Sequence, residues 1–96
     1  MEITVNSYDE FEKLTQAKDI RIADALYDAI INNINTKKRS IPFLSVHIIE
    51  DEKIVDLTIE RPYFMDTLDE LLLAYIEHEK YEKCKIIKET IETLKK

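Results

Sequence analysis

Two histidines, His47 and His78, and one cysteine, Cys84, supply the only imidazole and thiol groups in this 96-residue chain. A zinc site needs three or four converging ligands, and the spacing of these three matches no zinc signature. His47 falls on an outward strand position, where Asp56 is its expected cross-strand partner. A His–Asp pair can serve a general base, but no Ser or Cys is placed to use it as a nucleophile. The pair therefore reads as structural. His78 falls in a polar turn between two helices. Cys84 lies on an apolar helical stripe, where a thiol acts as a small packing group. Its neighbours Lys83 and Lys85 would activate it only at an exposed position. Glutamates are many, but nothing in the sequence separates one pair as acid and base.

The chain has no glycine, although ordinary usage would supply about seven. A P-loop, a dinucleotide fingerprint and a nucleophile elbow all need glycine, for positive φ or for close approach of backbone to ligand. All three are excluded. No enzyme activity, metal or cofactor is expected.

Length and composition give one domain with a single hydrophobic core, because 45% of residues are hydrophobic and 35% charged. Residues 1–66 form its α/β part and residues 67–96 a C-terminal helical hairpin. No apolar run reaches the ~18 residues that a membrane span requires. The start Met1-Glu2-Ile3-Thr4 lacks the basic and apolar regions of a secretory signal, and a lone cysteine fits a reducing compartment. The expected location is the cytoplasm. A net charge of −6 argues against binding to nucleic-acid backbones. The one basic cluster, Lys37-Lys38-Arg39, is the site for an alternative reading as a nucleic-acid- or nucleotide-binding regulator. Without interleaved aromatics it is a weak platform.

The elements that must position these groups follow from periodicity. Glu2–Asn6 alternates polar and apolar residues as a short strand. Ser7 and Glu10 fit a capping box for a helix carrying Tyr8, Phe11 and Leu14. A break is expected over Gln16–Asp19. A second helix follows, with Ala23, Leu26, Tyr27, Ile30, Ile31 and Ile34 as its stripe. Asparagine is the expected substitute for glycine at left-handed positions. The segments 43–49 and 54–60 read as a β-hairpin about a four-residue turn, Glu50-Asp51-Glu52-Lys53. The expected register pairs Ile48 with Val55, Val46 with Leu57 and Leu44 with Ile59. Phe43, Ile49 and Ile54 then share the opposite face. Thr67 and Glu70 fit another capping box, opening a helix with Leu68, Leu71, Leu72 and Tyr75 or Ile76 on one side. A last helix carries Tyr81, Cys84, Ile87, Ile91 and Leu94. The expected fold is α+β in the order β-α-α-β-β-α-α. A small antiparallel sheet, the hairpin 43–60 plus the N-terminal strand, packs against the helices.

The segment 68–94 resembles the UVR motif, the helical hairpin of UvrB, UvrC and McsA. Leu68, Leu71, Leu72 and Leu73 supply its apolar first helix. Tyr81 takes the aromatic place of its second, Glu82 the glutamate, Cys84 the first small residue and Ile87 the aliphatic one. Lys88-Glu89 stands for Arg-Asp, and Ile91 and Leu94 complete the spacing. Lys85 departs from the second small position, and Tyr75 and Ile76 from the paired alanines of the first helix. The resemblance implies a protein–protein contact, often between two such hairpins, with no catalysis and no cofactor.

The expected function is a non-enzymatic protein–protein interaction module, a small regulator, adaptor or inhibitor. Its size, acidity and Lys-rich composition suit a phage-encoded modulator of a host protein. The expected contact residues are Tyr75, His78, Tyr81 and Lys88 on the helical hairpin, with Phe43, Ile49 and Ile54 as a second surface. A homodimer through either surface is a further expectation.

Overall fold

The computed structural model describes residues 2–16 and 19–95. Along the chain come β1 (Glu2–Val5), α1 (Tyr8–Gln16), α2 (Ile20–Asn32), β2 (Ser40–Ile48) and β3 (Lys53–Glu60). A 3₁₀ turn (Arg61–Tyr63) then leads into α3 (Phe64–Glu77) and α4 (Tyr81–Leu94). The fold is α+β, with the element order read from periodicity and with α3 and α4 in contact as a C-terminal pair.

The sheet is mixed, which corrects the all-antiparallel expectation. Its order is β1-β2-β3. β1 runs parallel to β2, placing Ile3 beside Val46 and Val5 beside Ile48. Parallel neighbours need a long crossover, and α1 with α2 provides it.

The β2–β3 register also differs from the expected one. Ile48 pairs with Lys53, Val46 with Val55 and Leu44 with Leu57. The turn has four residues, as read from sequence, but it is Ile49–Glu52, one residue earlier. Pairings consequently move by two positions, which leaves the side chains from Leu44 to Ile48 and from Lys53 to Leu57 on their expected faces. Between Pro42 and Leu44 the ladder shifts again at a bulge. Proline cannot donate to a ladder, and bulges accommodate that loss. The bulge brings Ile41 to the core face alongside Leu44, Val46 and Ile48. Phe43 is turned aside into a half-buried position between both apolar clusters, not onto the outer face assigned to it.

One cluster joins the sheet to α1 through Phe11, Leu44, Val46 and Ile48. The other joins α2, α3 and α4 through Tyr27, Ile30, Phe64, Leu68, Tyr75 and Ile87. Helix entries show how local chemistry shapes this packing. Ser7 Oγ accepts the Glu10 amide at 3.3 Å, while the Glu10 carboxylate accepts from the Asn6 amide at 2.9 Å, one residue before the cap. Ala17 and Lys18 of the expected break lie outside the described residues. Asp19 caps α2 by accepting the Arg21 amide at 2.8 Å. Ile34 falls beyond the end of α2 and still packs on the second cluster.

α3 starts at Phe64, so Thr67 lies inside the helix and its capping box with Glu70 is not formed. Phe64 was not among the expected core residues, and it is buried. Arg61 explains this entry. Its guanidinium donates to the carbonyls of Asn33 at 2.9 Å and Lys38 at 2.7 Å, and to Thr36 Oγ1 at 3.0 Å. It also lies 4.9 Å from the Phe64 ring centre. One cation thereby ties the end of α2 to the loop before β2 and stacks on the first residue of α3.

Candidate interaction surface

The α3–α4 hairpin turns on three residues, His78, Glu79 and Lys80. The Lys80 amide donates to Tyr75 O at 2.8 Å and the Glu79 amide to Ile76 O at 3.1 Å. These two bonds make a Schellman end to α3. The residue it forces into the left-handed region is Glu79, at φ 58°. Glu52 in the β-hairpin turn is the second such residue, at φ 50°. Among the described residues both left-handed positions therefore carry glutamate, where asparagine was expected.

Behind the turn, Tyr75 decides how the hairpin sits on the body. It is fully buried, so it cannot be the surface contact that the sequence suggested. Its hydroxyl donates to Asp24 Oδ1 at 2.7 Å, and Lys83 Nζ donates to the same oxygen at 2.8 Å. Lys83 Nζ lies 5.0 Å from the Tyr27 ring centre and 5.1 Å from that of Tyr75. The two rings meet edge to face at 5.7 Å. An ammonium thus fills a corner made by two aromatic faces and a carboxylate. Burial works to raise the Asp24 pKa, but donation from Lys83 and Tyr75, with the charges of Lys83 and Lys80, holds it below the ordinary value of 3.8. Burial, then the bond to Asp24, pushes the Tyr75 phenol far above its ordinary range. Nothing in the local sequence of Asp24 or Lys83 announces this network, because its partners lie 51 and 59 residues apart.

The opposite side of the hairpin faces solvent. Leu71 and Ala74 line a groove with α2, which places Asp66, Asp69, Leu73 and Ile76 on the far side of α3. Lys83 reaches α2 from α4, which places Tyr81, Lys85, Lys88 and Glu92 on the far side of that helix, with Glu89 beside them. These stripes run at spacings of three and four residues. Leu73 is 58% exposed, Ile76 45% and Tyr81 63%. His78 and Lys88 are also exposed, whereas Cys84 is buried and its thiol points at Leu72 O, 3.9 Å away. α3 carries four carboxylates, Asp66, Asp69, Glu70 and Glu77, and no cation. Among the described residues none of them forms an ion pair, and neither does Lys85 or Lys88.

The second expected surface is smaller. Ile49 and Ile54 are exposed, but Ile49 belongs to the turn and Phe43 is withdrawn. His47 does not meet Asp56. Its Nε2 lies 4.0 Å from Glu2, while Asp56 accepts from Ser45 at 2.6 Å. The two-residue register shift exchanged the partners. Lys37, Lys38 and Arg39 are exposed on a loop whose backbone Arg61 holds. Among the described residues no group of three His, Cys, Asp or Glu is placed to hold a metal ion. No helix there is long and apolar enough to cross a membrane. Comparison with protein-family models, curated proteins and solved structures found no match to this chain.

Proposed function

We propose that this chain is a non-enzymatic protein-interaction module, a small regulator, adaptor or inhibitor, and that it docks its partner on the outer face of the α3–α4 hairpin. The observation that supports this reading is the apolar stripe Leu73, Ile76 and Tyr81, exposed on elements whose other faces are firmly packed. Apolar side chains surrounded by charged residues are the anatomy of a binding patch. The charges beside them, which form no ion pair among the described residues, are available to a partner. His78 at the turn and Lys88 on α4 complete the polar rim.

The test is affinity capture with the full chain as bait, read by quantitative mass spectrometry. Wild type is compared with the Leu73→Asp, Ile76→Asp double variant and with Tyr81→Ala, Lys88→Ala. All four positions are exposed, so both variants should keep the wild-type circular dichroism and melting curve. The expected result is loss of the specific partners from both. A partner list unchanged in both variants would overturn the hairpin as the docking site.

A further inference from the structure

Charge on the hairpin's outer face is one-sided on α3 and mixed on α4. Among the described residues α3 is the one helix without Lys, Arg or His, and its Asp66, Asp69, Glu70 and Glu77 are all exposed. On α4 the exposed Lys85 and Lys88 stand among Glu82, Glu89 and Glu92, so that helix favours neither sign of partner. The selective half of the face is therefore α3. We propose that its occupant is a basic amphipathic helix of another protein, with apolar side chains seated on Leu73 and Ile76 and Lys or Arg side chains meeting Asp69 and Asp66. The inference rests on the reading of this face as a docking surface and names the chemistry of what docks there.

The order of groups along α3 sets the order along its partner. Leu73 and Ile76 lie near the hairpin turn that leads to Tyr81, and both are exposed. Asp69 is four residues before Leu73, and Asp66 three before that, so all share one side of the helix. From Ile76 to Asp66 the helix rises about 15 Å, roughly three turns. A matching helix carries an apolar pair three or four residues apart at one end of such a stretch and a basic pair at the other. The apolar pair supplies most of the affinity, and the cations supply orientation and choice of partner. Asp66 and Asp69 form no ion pair among the described residues, so a partner's cations meet them without displacing a cation of this chain. A second copy fits this helix poorly, because α3 laid on α3 sets carboxylate against carboxylate.

The test is an NMR titration of the isotope-labelled full chain with synthetic peptides of about 18 residues, long enough to cover the stretch. One peptide carries the leucine pair and the lysine pair in the order given. A second has glutamate in place of each lysine. A third keeps the composition of the first but breaks its helical spacing. The first should bind at least about tenfold more tightly than either of the others, and less tightly as salt is raised. Its amide shifts should gather on residues 66–76. Asp66→Asn with Asp69→Asn should weaken it about tenfold. Glu50→Gln with Asp51→Asn removes two charges from the exposed turn of the β-hairpin and should change it by less than about twofold, as remote surface charges do. The spectrum of each variant reports directly that it is folded.

Failure of the first peptide to bind, or equal binding of the second or third, would remove the basic helix as occupant. Equal weakening by the two charge pairs would do the same, since attraction to the net charge of −6 would then be the whole effect. The docking reading itself would stand or fall separately, on whether Leu73→Asp with Ile76→Asp loses the partners that wild type captures.

Discussion

The molecule contains two hairpins, one of strands and one of helices, and they treat their outer faces in opposite ways. Each turns tightly on a left-handed glutamate, Glu52 in one and Glu79 in the other. Each buries one side in an apolar cluster. The outer face of β2–β3 satisfies its own polar groups. Ser45 donates to Asp56, Ser40 to Glu60, and His47 lies against Glu2. Among the described residues, the outer face of α3–α4 leaves its carboxylates and two lysines unpaired around an apolar stripe. A surface that has already met its own demands gives a partner little to gain. In the proposed reading, the helical hairpin is the face that keeps apolar and ionic groups for a partner.

Their anchors differ as well. Arg61, at the base of the β-hairpin, donates to backbone carbonyls, which do not titrate. The α-hairpin is held by Asp24, which does. The largest expected effect therefore comes from Arg61→Ala, which removes the side-chain donor to Lys38 O, one of three donors to Asn33 O and the stacking on Phe64. Urea unfolding should show a loss of about 3 kcal/mol, with the acid limb of the pH–stability curve keeping its shape. A loss below about 0.5 kcal/mol, the size of an ordinary surface change, would mean that water replaces the guanidinium without penalty.

Next in size is the contrast between the outer faces. Leu73→Asp with Ile76→Asp should weaken capture of a partner by roughly 100-fold, the scale of losing two central apolar anchors. Ile49→Asp with Ile54→Asp on the β-hairpin should change it by less than about twofold, as peripheral substitutions do. Equal losses from both pairs would erase the distinction between the two faces. Expectations from sequence had placed contacts on both hairpins. The alternation of β2 and β3 was legible because it is local, and it located the buried side of each strand. Register was not legible, since it depends on the bulge at Phe43 and on which residue takes the left-handed place in the turn. The choice between Tyr75 and Ile76 on α3 was equally hidden. Both follow Leu72 at helical spacing, and what decides it is Asp24, 51 residues away. The parallel pairing of β1 and the reach of Arg61 back to Asn33 are long-range for the same reason.

Tyr75→Phe tests the α-hairpin's anchor more gently, removing only a hydroxyl. The expected loss is about 1 to 2 kcal/mol, the worth of a hydrogen bond to a charged group. Its pH signature is specific. Asp24 is lowered in the folded state, so the stability it contributes is fully present above its ordinary value of 3.8 and is lost as pH falls through the lower folded value. Tyr75 is raised, so its contribution is fully present below pH 10.0 and is lost as pH rises beyond it. A phenylalanine side chain cannot ionise. The variant should lose this alkaline destabilisation while keeping an acid limb, now closer to pH 3.8, from the remaining Asp24–Lys83 bond. An unchanged alkaline limb would mean that other groups cause it.

The smallest effect is a gain, and it returns to what the two turns share. A non-glycine residue held at positive φ is strained by its Cβ, and glycine relieves that strain at some cost in unfolded-chain entropy. The balance favours glycine where a Schellman end demands the left-handed conformation, as it does at residue 79. Glu79→Gly should therefore raise stability by about 0.5 to 1 kcal/mol, and Glu52→Gly by a similar amount. Neither substitution touches the outer stripe of α3–α4, so partner capture should be unchanged. If Glu79→Gly instead destabilised the chain, its carboxylate must contribute an interaction beyond the backbone geometry, and the two turns would no longer be equivalent. A gain at both positions, with binding intact, would show that this glycine-free chain carries the same conformational cost in each hairpin and differs between them only in what its outer face offers.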